Sequence, residues 1–124
     1  MGIDVYLRWD GMTEEDKDKQ FTGSSTIHGH VGYLREAYHG EPYATEALIS
    51  EDWSKQPEEG FIIPNKVLEE RLPEVAGLIV KREVKLYGSS VEMAMEVVRS
   101  FIDFVDLHEK LELEGKNPRI VISY

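Results

Sequence analysis

The two ends of the chain alternate in hydropathy, while the second half between them repeats at helical spacing. That combination points to a small sheet made from the termini, with helices packed on one side of it. Near the start, Ile3, Val5, Leu7 and Trp9 fall on one side of an extended backbone and Asp4, Tyr6 and Arg8 on the other. Period-two alternation of this kind marks a half-buried strand, and Asp10-Gly11 supplies the turn that ends it. The last residues, Arg119 to Tyr124, alternate again, with Ile120, Ile122 and Tyr124 on one face. The expected fold class is therefore α+β: a small sheet pairing the N- and C-terminal strands, packed against two or three helices from the second half.

The intervening elements are read from their start and stop signals. Thr13 is placed to cap a short polar helix whose first turn carries Glu14, Glu15 and Asp16, where carboxylates oppose the helix dipole favourably. Gly23-Ser24-Ser25 reads as a loop, and Ser54 to Gly60 as a polar connection. Gly29, Gly32 and Gly40 interrupt the stretch from Thr26 to Ala47; within it, Tyr33 to His39 could form two helical turns capped by Gly40. Tyr43 to Leu48 fits either a short strand or a helical turn. Pro64 suits a helix start, and Leu68, Leu72, Val75 and Ile79 follow at three- and four-residue spacing. Pro73 removes an amide donor and disfavours helical angles at Leu72, so a break or a fresh helix start is expected there, with Gly88 ending the region. Ser89 and Glu92 form a capping-box pattern. After it, Ala94, Val97, Val98, Phe101, Phe104, Val105 and Leu111 make a wide apolar face, closed by Gly115 and Asn117-Pro118.

Composition sets limits on function. A chain of 124 residues with 41% hydrophobic side chains is enough for one globular domain, residues 1–124, without covalent staples. It contains no cysteine, which removes disulfides, thiolate metal sites, iron–sulfur clusters and a cysteine nucleophile. The formal charge of −10 opposes direct nucleic-acid binding and attraction to anionic membranes. It leaves room for a basic protein partner, a cation, or mimicry of nucleic acid by an ordered stripe of carboxylates. Met1-Gly2-Ile3-Asp4 lacks a basic region followed by an apolar one, and no apolar run approaches the roughly 20 residues of a membrane span. Cytoplasm is the expected location.

Titratable and aromatic side chains concentrate between His28 and Tyr43. This stretch holds three of the four histidines and three of the six tyrosines, with Arg35, Glu36 and Glu41 among them. On a Gly-punctuated loop, His28, His30, Tyr33, Arg35, Glu36, Tyr38, His39, Glu41 and Tyr43 are the candidate binding residues. His28 and His30 would share a face if both lay on a strand. With His39 and Asp4, or with Glu36 or Glu41 folding back, they could surround zinc, manganese or iron, although no helical HExxH context accompanies them. Without such convergence no cofactor is expected. Tyr38-His39, Glu36 and Arg35 could also provide a base, an orienting carboxylate and an anion clamp, yet no G-x-S-x-G elbow, G-x-G-x-x-G or Walker A pattern accompanies them. Elsewhere, Trp53 either anchors a partner or packs over the core edge. His108 reads as a satisfied histidine at the edge of the core, and Met93 and Met95 as ordinary helix packing.

Met1-Gly2-Ile3-Asp4-Val5-Tyr6-Leu7, His30-Val31-Gly32-Tyr33-Leu34-Arg35-Glu36-Ala37 and the closing Ile122-Ser123-Tyr124 resemble a set of small uncharacterised bacterial and phage-associated proteins. Those share a Met-Gly-x-Asp-x-Tyr-Leu start, a Gly-Tyr-x-Arg-x-Ala middle segment and a short final strand. The resemblance implies a similar architecture and carries no activity. The residues themselves favour a non-enzymatic binding protein that uses the 28–43 loop toward a protein partner or a second copy. A metal-dependent, hydrolase-like enzyme and an acidic nucleic-acid mimic are the alternatives.

Overall fold

The computed structural model describes residues 3–20, 26–32, 43–86 and 88–123. The first strand, β1 (Ile3–Arg8), is the middle of a three-stranded antiparallel sheet. On one side it pairs with β2 (His30–Gly32), Tyr6 opposite His30. On the other it pairs with β3 (Arg119–Ser123), Val5 opposite Ile122 and Leu7 opposite Ile120. The termini pair as their alternation requires. Val5, Leu7, Val31, Ile120 and Ile122 supply the buried inner face. The strand at His30–Gly32 is the element that periodicity did not reveal, because three residues are too few to show a period. Beyond β3, Phe61 continues the sheet by exchanging both backbone hydrogen bonds with Ile120, at 2.8 and 2.9 Å.

Four helices accompany the sheet among the described residues: α1 (Glu14–Gln20), α2 (Ala44–Ile49), α3 (Asn65–Val80) and α4 (Val91–Leu113). Thr13 caps α1 as expected: its hydroxyl accepts from the Asp16 amide at 3.1 Å, and the Asp16 carboxylate accepts from the Thr13 amide at 3.0 Å. The segment after Tyr43 is helical, with Ala44, Thr45, Leu48 and Ile49 buried. The Arg71 guanidinium donates to the Leu48 and Ile49 carbonyls at 2.9 and 2.7 Å, satisfying groups that the end of α2 would otherwise leave open.

Helix α3 runs through Pro73 without a break. Leu68, Val75 and Ile79 hold one face against the core, whereas Pro73 and Glu69 lie on the exposed side. The carbonyl deprived of its amide partner therefore faces solvent, and packing on the opposite face outweighs the local penalty. The helix then widens into a π-helical segment, Lys81–Leu86, which buries Arg82 and Glu83. Ser89 is used to complete this segment: its amide donates to the Glu83 carbonyl at 2.8 Å and its hydroxyl to the Glu83 carboxylate at 3.2 Å. The cap of α4 consequently shifts by one residue from the expected position, and Ser90 accepts from the Met93 amide at 3.1 Å.

All the apolar positions expected on α4 are buried. Met93 and Met95 flank Ala94, off the buried stripe, so both are exposed and do not pack as anticipated. His108 is fully buried within the interface with α3, deeper than a core edge, and Trp53 packs partly buried against the core. The helix closes in a Schellman turn: the Lys116 amide donates to the Leu111 carbonyl and the Gly115 amide to that of Glu112, with Gly115 at φ +72°. Among the described residues, no helix is long and apolar enough to cross a membrane.

Candidate functional site

The described part of the dense segment starts with a 3₁₀ turn, Thr26–His28, followed directly by β2. Gly29 joins them at φ +94°, and a Cβ there would meet Gln20 Nε2 and Leu7 Cβ at 3.0 Å, so both conformation and space call for glycine. This turn sends the two histidines to different places. His28 faces the C-terminal end of α4, whereas His30 stands on the outer face of the sheet. They do not share a face, because His28 precedes the strand.

Gln20 sets the turn. Fully buried at the end of α1, its amide nitrogen donates toward the carbonyls of Leu7 (3.0 Å), His28 (2.9 Å) and Gly29 (3.3 Å). Its oxygen accepts from Arg8 Nη1 at 2.5 Å. One side chain thus ties α1, β1 and the His28–Gly29 corner together.

On the outer sheet face, His30 Nε2 lies 2.8 Å from Asp4 Oδ1. Its ring stacks on Tyr6 with centroids 4.8 Å apart and planes inclined by 14°. Arg8 covers the Tyr6 ring at 5.2 Å. The pattern follows from register: Tyr6 is the direct cross-strand neighbour of His30, and Asp4 is its diagonal neighbour on the same face. A carboxylate facing Nε2 favours a proton on that nitrogen. Of the proposed metal ligands, Asp4 and His30 come together, His28 lies elsewhere, and His39 is outside the described residues. No three histidine, aspartate or glutamate side chains gather to hold a metal among the described residues. Tyr33, Arg35, Glu36, Tyr38 and Glu41 also lie outside them. Tyr43 is half-buried at the start of α2, in the N-cap position without a side-chain cap.

His28 opens onto a cleft of about 280 Å³ between α1, the 3₁₀ turn and the end of α4. Trp9, Ile27, Leu107 and Leu111 provide its apolar surface. Lys110, Lys116, Asp16 and Glu114 stand around it. Lys116 pairs with Glu114 at 3.2 Å. The Thr13 amide, foremost, holds the Asp16 carboxyl below its usual range. Sequence reasoning missed Trp9, Lys110 and Lys116 as neighbours of His28, since nothing local links positions so far apart. The one available signal was Trp9 itself, an aromatic directly before the Asp10-Gly11 turn.

Acidic side chains also meet on the exposed surface of α3 and α4. A hydrogen bond with Glu109 raises the pKa of Glu69, and Asp106 and Glu112 reinforce the effect. Comparison with protein-family models, with curated proteins and with solved structures finds no match for the chain.

Proposed function

We propose that this chain is a non-enzymatic recognition protein that presents the segment from His28 to Tyr43 to a protein partner or to a second copy of itself. The observation that carries this reading is how the segment is mounted. Val31 at one end and Ala44 with Thr45 at the other are buried in the core, while the residues between bear Tyr33, Arg35, Tyr38 and His39. Binding residues commonly occupy loops whose ends a rigid scaffold fixes, and Tyr and Arg are the residue types enriched at interface hot spots. The triple variant Tyr33→Ala/Arg35→Ala/His39→Ala is expected to lose captured partners in affinity purification, or to change mass in light scattering, with its melting temperature retained. Unchanged capture together with unchanged mass would falsify the reading.

A second reading is favoured by the Asp4–His30 pair. A carboxylate hydrogen-bonded to an imidazole is a recurrent arrangement around metal-binding histidines. On this reading His30 is a zinc or manganese ligand, with further ligands from the 28–43 segment. Protein purified without a histidine tag should then contain metal near one equivalent and gain thermal stability on adding zinc or manganese. A metal content near zero, with no such gain, excludes it.

A further inference from the structure

We propose that the side chain of Gln56 is a latch that closes the edge of the sheet at β3 against pairing with a second copy of the chain. The inference is independent of the loop reading, since it uses none of residues 28–43.

Successive residues of an antiparallel strand direct their backbone groups alternately to one neighbour and to the other side. On β3 the residues that face away from β1 are Ile120 and Ile122. Phe61 fills the place beside Ile120, accepting from its amide and donating to its carbonyl. Continued in that register, the chain would set Glu59 beside Ile122. It turns away instead: the Gly60 amide donates to the Pro57 carbonyl at 2.9 Å, and Glu59 is exposed. Gly60 permits this turn, with φ at +97° and the Ile120 carbonyl oxygen only 2.7 Å from where a Cβ would stand.

A side chain takes the place that the backbone leaves. Gln56 Nε2 donates to the Ile122 carbonyl at 3.1 Å, and Gln56 Oε1 accepts from the Ile122 amide at 2.6 Å. A primary amide holds donor and acceptor side by side, so it can satisfy both groups of one residue as a neighbouring strand would. The side chain is aimed from a fixed base. Gln56 ends the 3₁₀ turn Trp53–Lys55, where its amide donates to the Trp53 carbonyl at 3.2 Å, and Trp53 packs against the core.

An edge left open is a template for another chain, and this edge is self-complementary. Two β3 strands related by a two-fold axis at Val121 would set Ile120 of each copy against Ile122 of the other. That register forms four hydrogen bonds between the copies. In the parent chain it breaks eight, because Phe61 and Gln56 each hold two on either copy. Without the Gln56 amide it breaks four, and the count is level. If Gly60→Ala also lifts Phe61 from Ile120, nothing in the count opposes pairing.

The test compares Gln56→Ala, Gln56→Ala/Gly60→Ala and, as a control at an exposed position in the same turn, Glu58→Ala. Amide hydrogen exchange and sedimentation are the readouts. In Gln56→Ala the Ile122 amide should exchange about tenfold faster, the scale of one lost hydrogen bond, while Ile120 stays protected by Phe61. The double variant should exchange fast at both amides at about 50 µM. Toward about 1 mM its mass should rise above the parent's, with protection returning at both amides as the copies pair. Glu58→Ala should match the parent throughout. Unaltered exchange at Ile122 in Gln56→Ala, or equal acceleration at Ile120, would overturn the proposal. So would a double variant whose mass follows the parent's, or association that leaves both amides fast. If the double variant does not fold, Gln56→Ala alone decides: renewed protection of Ile122 at about 1 mM supports the latch, and its absence overturns it.

Discussion

His108 shows how a single buried side chain can make the stability of the whole chain depend on pH. The Asn65 amide nitrogen donates to the Val105 carbonyl at 3.0 Å and to His108 Nδ1 at 3.1 Å, which makes Nδ1 an acceptor. The imidazole proton then sits on Nε2, which is buried and without a hydrogen-bond partner among the described residues. Protonating Nδ1 would set two donors against each other in a site closed to water. Burial accordingly depresses the His108 pKa, with the Glu112 carboxylate pulling weakly the other way. In the unfolded chain His108 takes up its proton near its ordinary value of about 6.5, whereas the folded chain does so only at lower pH. Between those values the unfolded state holds more protons, so stability is full above about pH 6.5 and falls as pH drops below it, until folded His108 itself protonates. The urea midpoint should decrease from pH 7.5 to 5.5, and His108→Leu should flatten much of that slope. Glu69 acts in the opposite direction, since its raised pKa lets the folded state hold a proton more readily as pH falls; from its exposed position it offsets little.

Elements depend on choices between neighbouring residues. Two adjacent serines precede α4; one caps it and the other holds the buried Glu83 carboxylate. Aspartate is as good an N-cap as serine, so Ser90→Asp should leave stability within about 0.5 kcal/mol of the parent. Ser89→Asp puts a second carboxylate against Glu83 and should destabilise by at least about 1 kcal/mol, through like charge and a lost donor. Chemical denaturation of the two variants side by side reads this difference, and the reverse order would return the cap to Ser89. In α3, Pro73 is exposed and lies within the helix. Pro73→Ala restores an amide donor where the backbone is already helical, and should raise stability by about 1–3 kcal/mol in a urea melt. A loss of stability would mean that the ring itself contributes packing.

At the scale of the whole molecule, the fold closes on β3, which joins the first strand to Phe61 and the inner face of the sheet to the helices. Ile120 is fully buried where these parts meet, opposite Leu7 on one edge and bonded to Phe61 on the other. Ile120→Ala should destabilise by about 3 kcal/mol, near the middle of the range for large-to-alanine core changes. Val121→Ala, on the other face of the same strand, should cost less than 1 kcal/mol. Equal effects in thermal and urea unfolding would show that the sheet does not set the stability of the chain.

The sequence by itself determined the features that depend on local periodicity. Alternation at both ends put Val5, Leu7, Ile120 and Ile122 on one sheet face, and helical spacing put Ala94 through Leu111 on one stripe. Such patterns are legible because backbone geometry repeats every two or every 3.6 residues, whatever lies across the core. Tertiary structure decided the rest. Glu83 determined which serine capped α4, and packing of Leu68, Val75 and Ile79 carried α3 through Pro73. Gln20 and Gly29 turned His28 and His30 apart, cross-strand register brought Asp4 to His30, and the end of α4 brought Lys110 to Trp9. The local preferences at stake in the capping serine and in Pro73 are worth about 1–3 kcal/mol. Contacts between residues far apart in the chain bury enough surface to override such preferences, and a reading of neighbours along the sequence does not contain them.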